Sequence, residues 1–405
     1  GRFCELYTRA NFGALPSTRE PMLTLTVTPT ALVTLPESIW RPAALAHTER
    51  MRALVSPGFV ETAEHLTHDK KPSRRFRHAN DGWRALDPRH PVYNFMLEYY
   101  ALKGAKSTRR LGRWSPALSA DGVLLEGASS ADIDCGRLSP RGAIETRSGI
   151  CYDPREFQRG ASREQCSSFL WYRSILSATS DAAPVLHCFG LHEWAMQYQP
   201  EGAPPPPSAK YQAHLPLRVS REQINAAVER SGVSCTHVDA LRYFAPAAAP
   251  LNKHGSTLQR SQQPDLEQPA CVHAAMDLLK IALKLHPWLP AELVGDALEV
   301  AIEARTLDVI ASPYDLRSYG LEPICIEEES GRAEFKERQL ALMARVQPVR
   351  TQLLRAYDAF LDCGFDMSTI EAALRRPNEV QFATATPGGK AWKWSPGARE
   401  QGAAV

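Results

Sequence analysis

The 405-residue chain reads as mainly α-helical: a single large helical domain with a few short strands, an extended N-terminal arm and a loose C-terminal tail. Three observations predict this. Polar residues recur at helical spacing inside long apolar runs. Ser or Thr followed three residues later by an acid or amide marks several helix starts. Proline-rich stretches then break the chain between helices. Apolar residues make up 44% and charged residues 23%, a composition that can bury a core. No run approaches the ~20 apolar residues that cross a bilayer, so no membrane span is expected.

Residues 1–44 are expected to form the arm, in which Leu23–Thr28 alternates at period 2 and reads as one strand. The helical domain is placed at 45–376. Residues 115–161 are rich in Ser, Gly, Asp and Arg and read as irregular connection, with one short strand at Val123-Leu124-Leu125. An inserted loop is expected at 138–166. The prolines 204–207 make 199–212 a stiff linker. Pro246, Pro250, Pro264 and Pro269 forbid one continuous helix over 245–269. Capping boxes are expected at Ser162/Gln165, Ser220/Gln223, Thr236/Asp239, Ser312/Asp315 and Ser368/Glu371. Pro313 after Ser312 suits a first helical turn, and Gly364 suits the stop of a helix over 333–362. The tail is placed at 377–405.

The clearest unit is 270–308. His273, Asp277, Lys280 and Lys284 interrupt an apolar run on one face; Glu292, Asp296, Glu299 and Glu303 do the same in the next. The turn between Pro287 and Pro290 makes the two helices antiparallel neighbours. That pairing brings His273 and Asp277 towards the level of Glu303 and Glu299.

The nine cysteines form no C-x-x-C pair, which argues against zinc-ribbon and thioredoxin chemistry and for reduced thiols. Pairing among Cys135, Cys151 and Cys166 is the alternative. No phosphate-loop, dinucleotide-binding or nucleophile-elbow motif is present. The chain begins at Gly1 rather than Met, which reads as truncation or processing. Arg2, Arg9 and Arg19 are compatible with the remnant of an organelle-targeting region. A plastid or mitochondrial location is therefore expected, otherwise a cytoplasmic or nuclear one, and not secretion.

Two sets of residues carry candidate chemistry. His237-x-Asp239 with His273 downstream matches the donor types of a two-histidine, one-carboxylate iron site. His192 and Asp277 extend the set. Five metal ligands are thus expected, His192, His237, Asp239, His273 and Asp277, with Glu193 beside His192 as the catalytic base. Iron, manganese and zinc are the candidate ions, and a small organic molecule the substrate. The second set is basic. Residues 70–113 carry twelve basic against three acidic residues, a net of +9 in a chain whose total is only +2. Phe76, Trp83, Tyr93, Tyr99, Tyr100 and Trp114 interleave with them. Arg74, Arg75, Arg77, Arg109 and Arg110 are the expected anion or nucleic-acid contacts. The same segregation of charge suits docking into a larger organellar protein assembly, as a non-catalytic subunit.

Several strings occur together: His90-Pro91-Val92 with Glu98-Tyr99-Tyr100, Cys188 to Met196, Cys235 to Ala240, Gln268 to Leu278, and Ala311 to Leu316. As a set, over roughly 45–360, they resemble a bacterial and algal family commonly labelled 3-methyladenine DNA glycosylase. The chain departs from that pattern at Ile310, where Arg is expected, and in the expanded segment near 138–166. The resemblance implies DNA base excision, and hence a pocket for a flipped base.

Overall fold

A computed structural model describes residues 32–60, 82–204, 206, 212–230, 232–364, 384–385 and 391–392. The 23–28 strand, the Ser368/Glu371 cap and the Arg74, Arg75 and Arg77 cluster lie outside the described residues. Within them the fold is mainly helical, as the periodicity predicts. The helices are α1 (Glu37–Val55), α2 (Phe95–Tyr99), α3 (Ala105–Thr108), α4 (Ser130–Asp134), α5 (Pro154–Arg159), α6 (Arg163–Asp181) and α7 (Leu191–Ala195). They continue with α8 (Arg221–Glu229), α9 (Val238–Leu241), α10 (Gln263–Leu266), α11 (Val272–Leu285), α12 (Ala291–Ile310) and α13 (Glu329–Asp362).

The antiparallel pair α11–α12 forms the centre. Outside one acidic stripe α12 is largely apolar, and so wide an apolar surface must be covered by several neighbours. Leu293, Val294, Leu298, Ala301, Leu307 and Val309 are all buried. α1 and α13 supply the cover, and α13 also packs along α6. Over 34 residues α13 runs about 50 Å and buries one stripe of it, from Phe335 through Val346 and Leu353 to Phe360.

Two capping boxes close as expected, at Ser162 and Ser220. Two others do not. The Ser312 hydroxyl donates to the Val309 carbonyl at 2.6 Å, so it closes the end of α12 instead of opening a new helix. α9 begins after His237 without a side-chain cap, because Asp239 is drawn to cations. α1 also starts inside the expected arm, behind Pro36 and with Pro42 in its interior. A helix with no Ser or Thr cap and an internal proline carries no start signal.

The expected loop at 138–166 is more ordered than its composition suggests. β1 (Val33–Leu35), β2 (Val123–Glu126), β3 (Ala143–Glu145) and β4 (Gly149–Tyr152) form one sheet in the order β1-β2-β4-β3, parallel only between β1 and β2. β2 covers the strand read at 123–125. Ile150 and Tyr152 fill the core from β4. At Gly149 a Cβ would stand 1.9 Å from the Leu125 carbonyl oxygen, so only glycine allows the β2–β4 approach. Thr384–Ala385 and Ala391–Trp392 form a separate two-stranded ladder. All eight described cysteines, Cys135, Cys151 and Cys166 among them, are free thiols.

Candidate metal centre and adjoining cleft

Four of the five expected ligands converge. His192 comes from α7, which is entered through Gly190 in the left-handed conformation (φ 66°). His237 precedes α9, and His273 and Asp277 lie one turn apart on α11. The three imidazoles are adjacent. The His273 ring stands edge-to-face to His192 at 4.5 Å and stacks on His237 at 4.9 Å, centroid to centroid. Each end of this row meets carboxylates. His192 Nε2 lies 2.9 Å from Asp308 Oδ1. His237 Nε2 lies 3.2 Å from Asp277 Oδ2 and 3.6 Å from Glu267 Oε1.

Two triads result, His192/His273/Asp308 and His237/Glu267/Asp277. Within each, every potential ligand atom lies within 4.8 Å of the others, and five of the six residues are buried. Buried His, Asp and Glu groups of this kind can hold a metal ion. The donor set fits one on a further ground. His192 Nε2 and Asp308 Oδ1 approach closely, yet neither completes a hydrogen bond. His237 Nδ1 is likewise buried and unpartnered among the described residues. Unpaired buried polar atoms are costly, and a cation at the convergence of these groups would relieve that cost.

Electrostatics divide the row. Burial alone would discharge His192, but the Asp308 carboxylate overrides it and pushes the imidazole up to about 10. Asp277 holds His237 above its ordinary value in the same way, against burial. Lys280, His237 and the Tyr99 hydroxyl hold the Asp277 carboxyl far below the usual range despite its burial. Desolvation, with the charges of His192 and His237 beside it, holds His273 well below the usual histidine value. Burial raises Glu267, against the pull of His237.

The supporting residues explain why these positions are fixed. Tyr99 donates to Asp277 Oδ1 at 2.5 Å and Gln263 to Glu267 Oε1 at 2.6 Å. Arg305 Nη1 bridges Glu193 Oε1 and Asp308 Oδ2, both at 2.6 Å, with all three side chains buried. Glu193 therefore faces a guanidinium, while His192 beside it faces the triad. Consecutive helical residues point about 100° apart, and the two cannot share one ion.

Asp239 sits one layer outward. Arg260 at 2.6 Å, Lys280 at 3.6 Å and Arg242 surround its carboxylate. It thus lies outside both triads. The expected grouping of His273 and Asp277 with Glu299 and Glu303 does not form. Arg50 of α1 holds Asp296 and Glu299 at 2.7 and 2.9 Å, and Arg345 of α13 holds Glu303 at 2.9 Å. The acidic face of α12 thus meets α1 and α13, while the polar face of α11 meets α7 and the segment before α9. Arg109 and Arg110 belong to a turn packed on α1. Trp83, Tyr93, Tyr100 and Trp114 are core residues and offer no face for stacking bases.

Sequence reading missed Glu267, Asp308 and Arg305. Each had a faint signal. Glu267 directly precedes the Gln268–Leu278 string, and Arg305 and Asp308 interrupt the apolar end of α12 at i, i+3 spacing.

A cleft of about 280 Å³ lies between α6 and α11 and borders this centre at Asp277. Phe169, Trp171, Tyr172 and Ile175 form its apolar wall. Asp277, Lys280 and Lys284 line the opposite side, with Arg260 and Arg141 also on its border. Asp277 belongs to both the cleft and the inner triad. Comparison with protein-family models, with curated proteins and with solved structures finds no match to this chain.

Proposed function

We propose that the chain is a metal-dependent enzyme acting on a small organic substrate. The observation that carries this reading is the convergence of three histidines and three carboxylates into two abutting triads, one of which reaches an open cleft through Asp277. His192, His273 and Asp308 would hold one ion, and His237, Glu267 and Asp277 are the second ligand set; His192 and His237 would give up to an ion the protons that Asp308 and Asp277 hold on them. Iron, manganese and zinc all accept imidazole and carboxylate donors. A bound ion would supply Lewis acidity or an activated water. The chain's own residues do the rest: Tyr99 and Lys280 orient Asp277, Arg305 fixes Asp308, and the aromatic wall positions substrate. Elemental analysis of protein purified without added metal tests it. A bound transition metal at or near one per chain, lost in His273→Ala, is the expected result. Less than about 0.1 metal per chain, the same in His273→Ala, would sink the proposal.

The cleft also favours a second reading, base excision. An aromatic wall beside a buried carboxylate suits an extruded purine. Methylated duplex DNA would then release 3-methyladenine, and Asp277→Asn would stop it. No release, or release untouched by that substitution, rejects this alternative.

A further inference from the structure

Charge in the α6–α11 cleft is unbalanced at one end. Four cations line it: Arg141, Arg260, Lys280 and Lys284. Two are neutralised within the fold. Arg260 pairs with Asp239, and Lys280 lies 3.6 Å from both Asp239 and Asp277. No carboxylate comes within 4 Å of Arg141 or Lys284 among the described residues. Glu164 lines the cleft as well but has an interaction of its own.

Arg141 is held in place rather than waving from the surface. Its Nη1 donates to the carbonyls of Lys284 and His286, at 2.5 and 3.0 Å, at the end of α11. The guanidinium lies over Phe157 and Phe169, 5.0 and 5.3 Å from their centroids. Its Nε and Nη2 make no hydrogen bond among the described residues, although the guanidinium lines the cleft. Desolvation depresses the Arg141 guanidinium, and desolvation with the nearby Lys280 and Arg141 charges depresses Lys284, although that side chain reaches solvent. A fixed, partly desolvated guanidinium beside an exposed ammonium, neither with a carboxylate within 4 Å among the described residues, forms a receptor for an anion.

The spacing adds a length. Asp277 and Lys284 are seven residues apart on α11, about 10 Å along its axis, with Trp171 and Tyr172 lining the cleft across from them. We propose that this cleft takes a small, flat molecule bearing a carboxylate or phosphate at one end, with the anion on Arg141 and Lys284 and the opposite end against Asp277. This deepens the metal-enzyme reading, because Asp277 belongs to the proposed inner centre. The anion site itself does not depend on a metal.

Titration calorimetry on the full chain tests it with two matched pairs: benzoate against benzamide, and phenyl phosphate against phenol. At least one anion is expected to bind at one per chain, at least about tenfold more tightly than its neutral counterpart. Which of the two anions wins separates carboxylate from phosphate recognition. Lys284→Glu reverses an exposed charge and should weaken that anion at least about tenfold, with an unchanged thermal midpoint. Arg141→Lys keeps the charge but loses the planar fork, and should weaken it as well. Equal affinity for anion and neutral partner overturns the inference, as does binding indifferent to Lys284→Glu. Metal content measured on the same samples separates the two readings. Anion binding by a metal-free chain supports this inference and rejects the metal centre; a metal-loaded chain with no preference for anions does the reverse.

Discussion

His192 Nε2 lies 2.9 Å from Asp308 Oδ1 with both side chains sealed from solvent, and Arg305 holds the other oxygen of the same carboxylate. Two charged groups from α7 and α12 thus meet a third in the core, where each one's presence is what makes burial of the others tolerable.

Removing Arg305 should therefore be severe. Arg305→Met leaves Glu193 and Asp308 facing each other without their shared cation. A loss of about 3–5 kcal/mol is expected, read as a lower urea midpoint. Adding Glu193→Gln should recover part of it, since one stranded charge is gone. A cost under about 1 kcal/mol would mean that the bridge is not formed.

The two carboxylates near α11 are predicted to differ. Asp277→Asn should lower the metal stoichiometry by at least about half, because its oxygen belongs to a triad. Asp239→Asn should leave the stoichiometry intact, because Arg242, Arg260 and Lys280 already occupy that carboxylate. Equal losses in the two variants, measured by elemental analysis, would contradict the assignment.

Acid should destabilise the α1 end of the core. His47 Nε2–H donates to the Leu111 carbonyl oxygen at 3.1 Å, and burial pushes its imidazole down to about 4. His286 is pushed to about 3 by burial, with the charges of His47 and Arg113 adding to it. An unfolded histidine titrates near 6.5. Between those values the unfolded chain binds more protons than the folded one, so stability rises with pH and is lost as pH falls below about 6.5. His47 alone contributes up to about 3 kcal/mol to this loss. Replacing it by Gln should flatten the slope of unfolding free energy between pH 6.5 and about 4; an unchanged slope would count against the assignment.

Gly149→Ala should disturb the small sheet. The added Cβ meets the Leu125 carbonyl oxygen, which is backbone and cannot swing aside. A cost of about 2 kcal/mol or more is expected. Native-state hydrogen exchange should show it as faster exchange in β2 and β4, while α11 and α12 keep their protection.

How much of this was legible in the residues differs by level. The α11–α12 hairpin was legible because periodicity and two prolines are local properties of the chain. The caps at Ser162 and Ser220 were legible because their partners are three residues away. The caps proposed at Thr236 and Ser312 failed for the same reason in reverse. Arg260 lies 21 residues from Asp239 and competes for its carboxylate, and the carbonyl that the Ser312 hydroxyl chooses belongs to the preceding helix.

The sequence by itself determined the helical class, the main antiparallel pair and four members of the candidate centre, since polar residues set inside apolar strings must find partners once buried. Tertiary structure decided which partners. It added Asp308, Glu267 and Arg305, moved Asp239 into an ion-pair cluster, and turned the acidic face of α12 towards Arg50 and Arg345. The physical reason is that periodicity specifies which face of a helix is polar but not which neighbour that face meets. That choice is made by how α7, α11, α12 and the segment before α9 pack across long sequence separations.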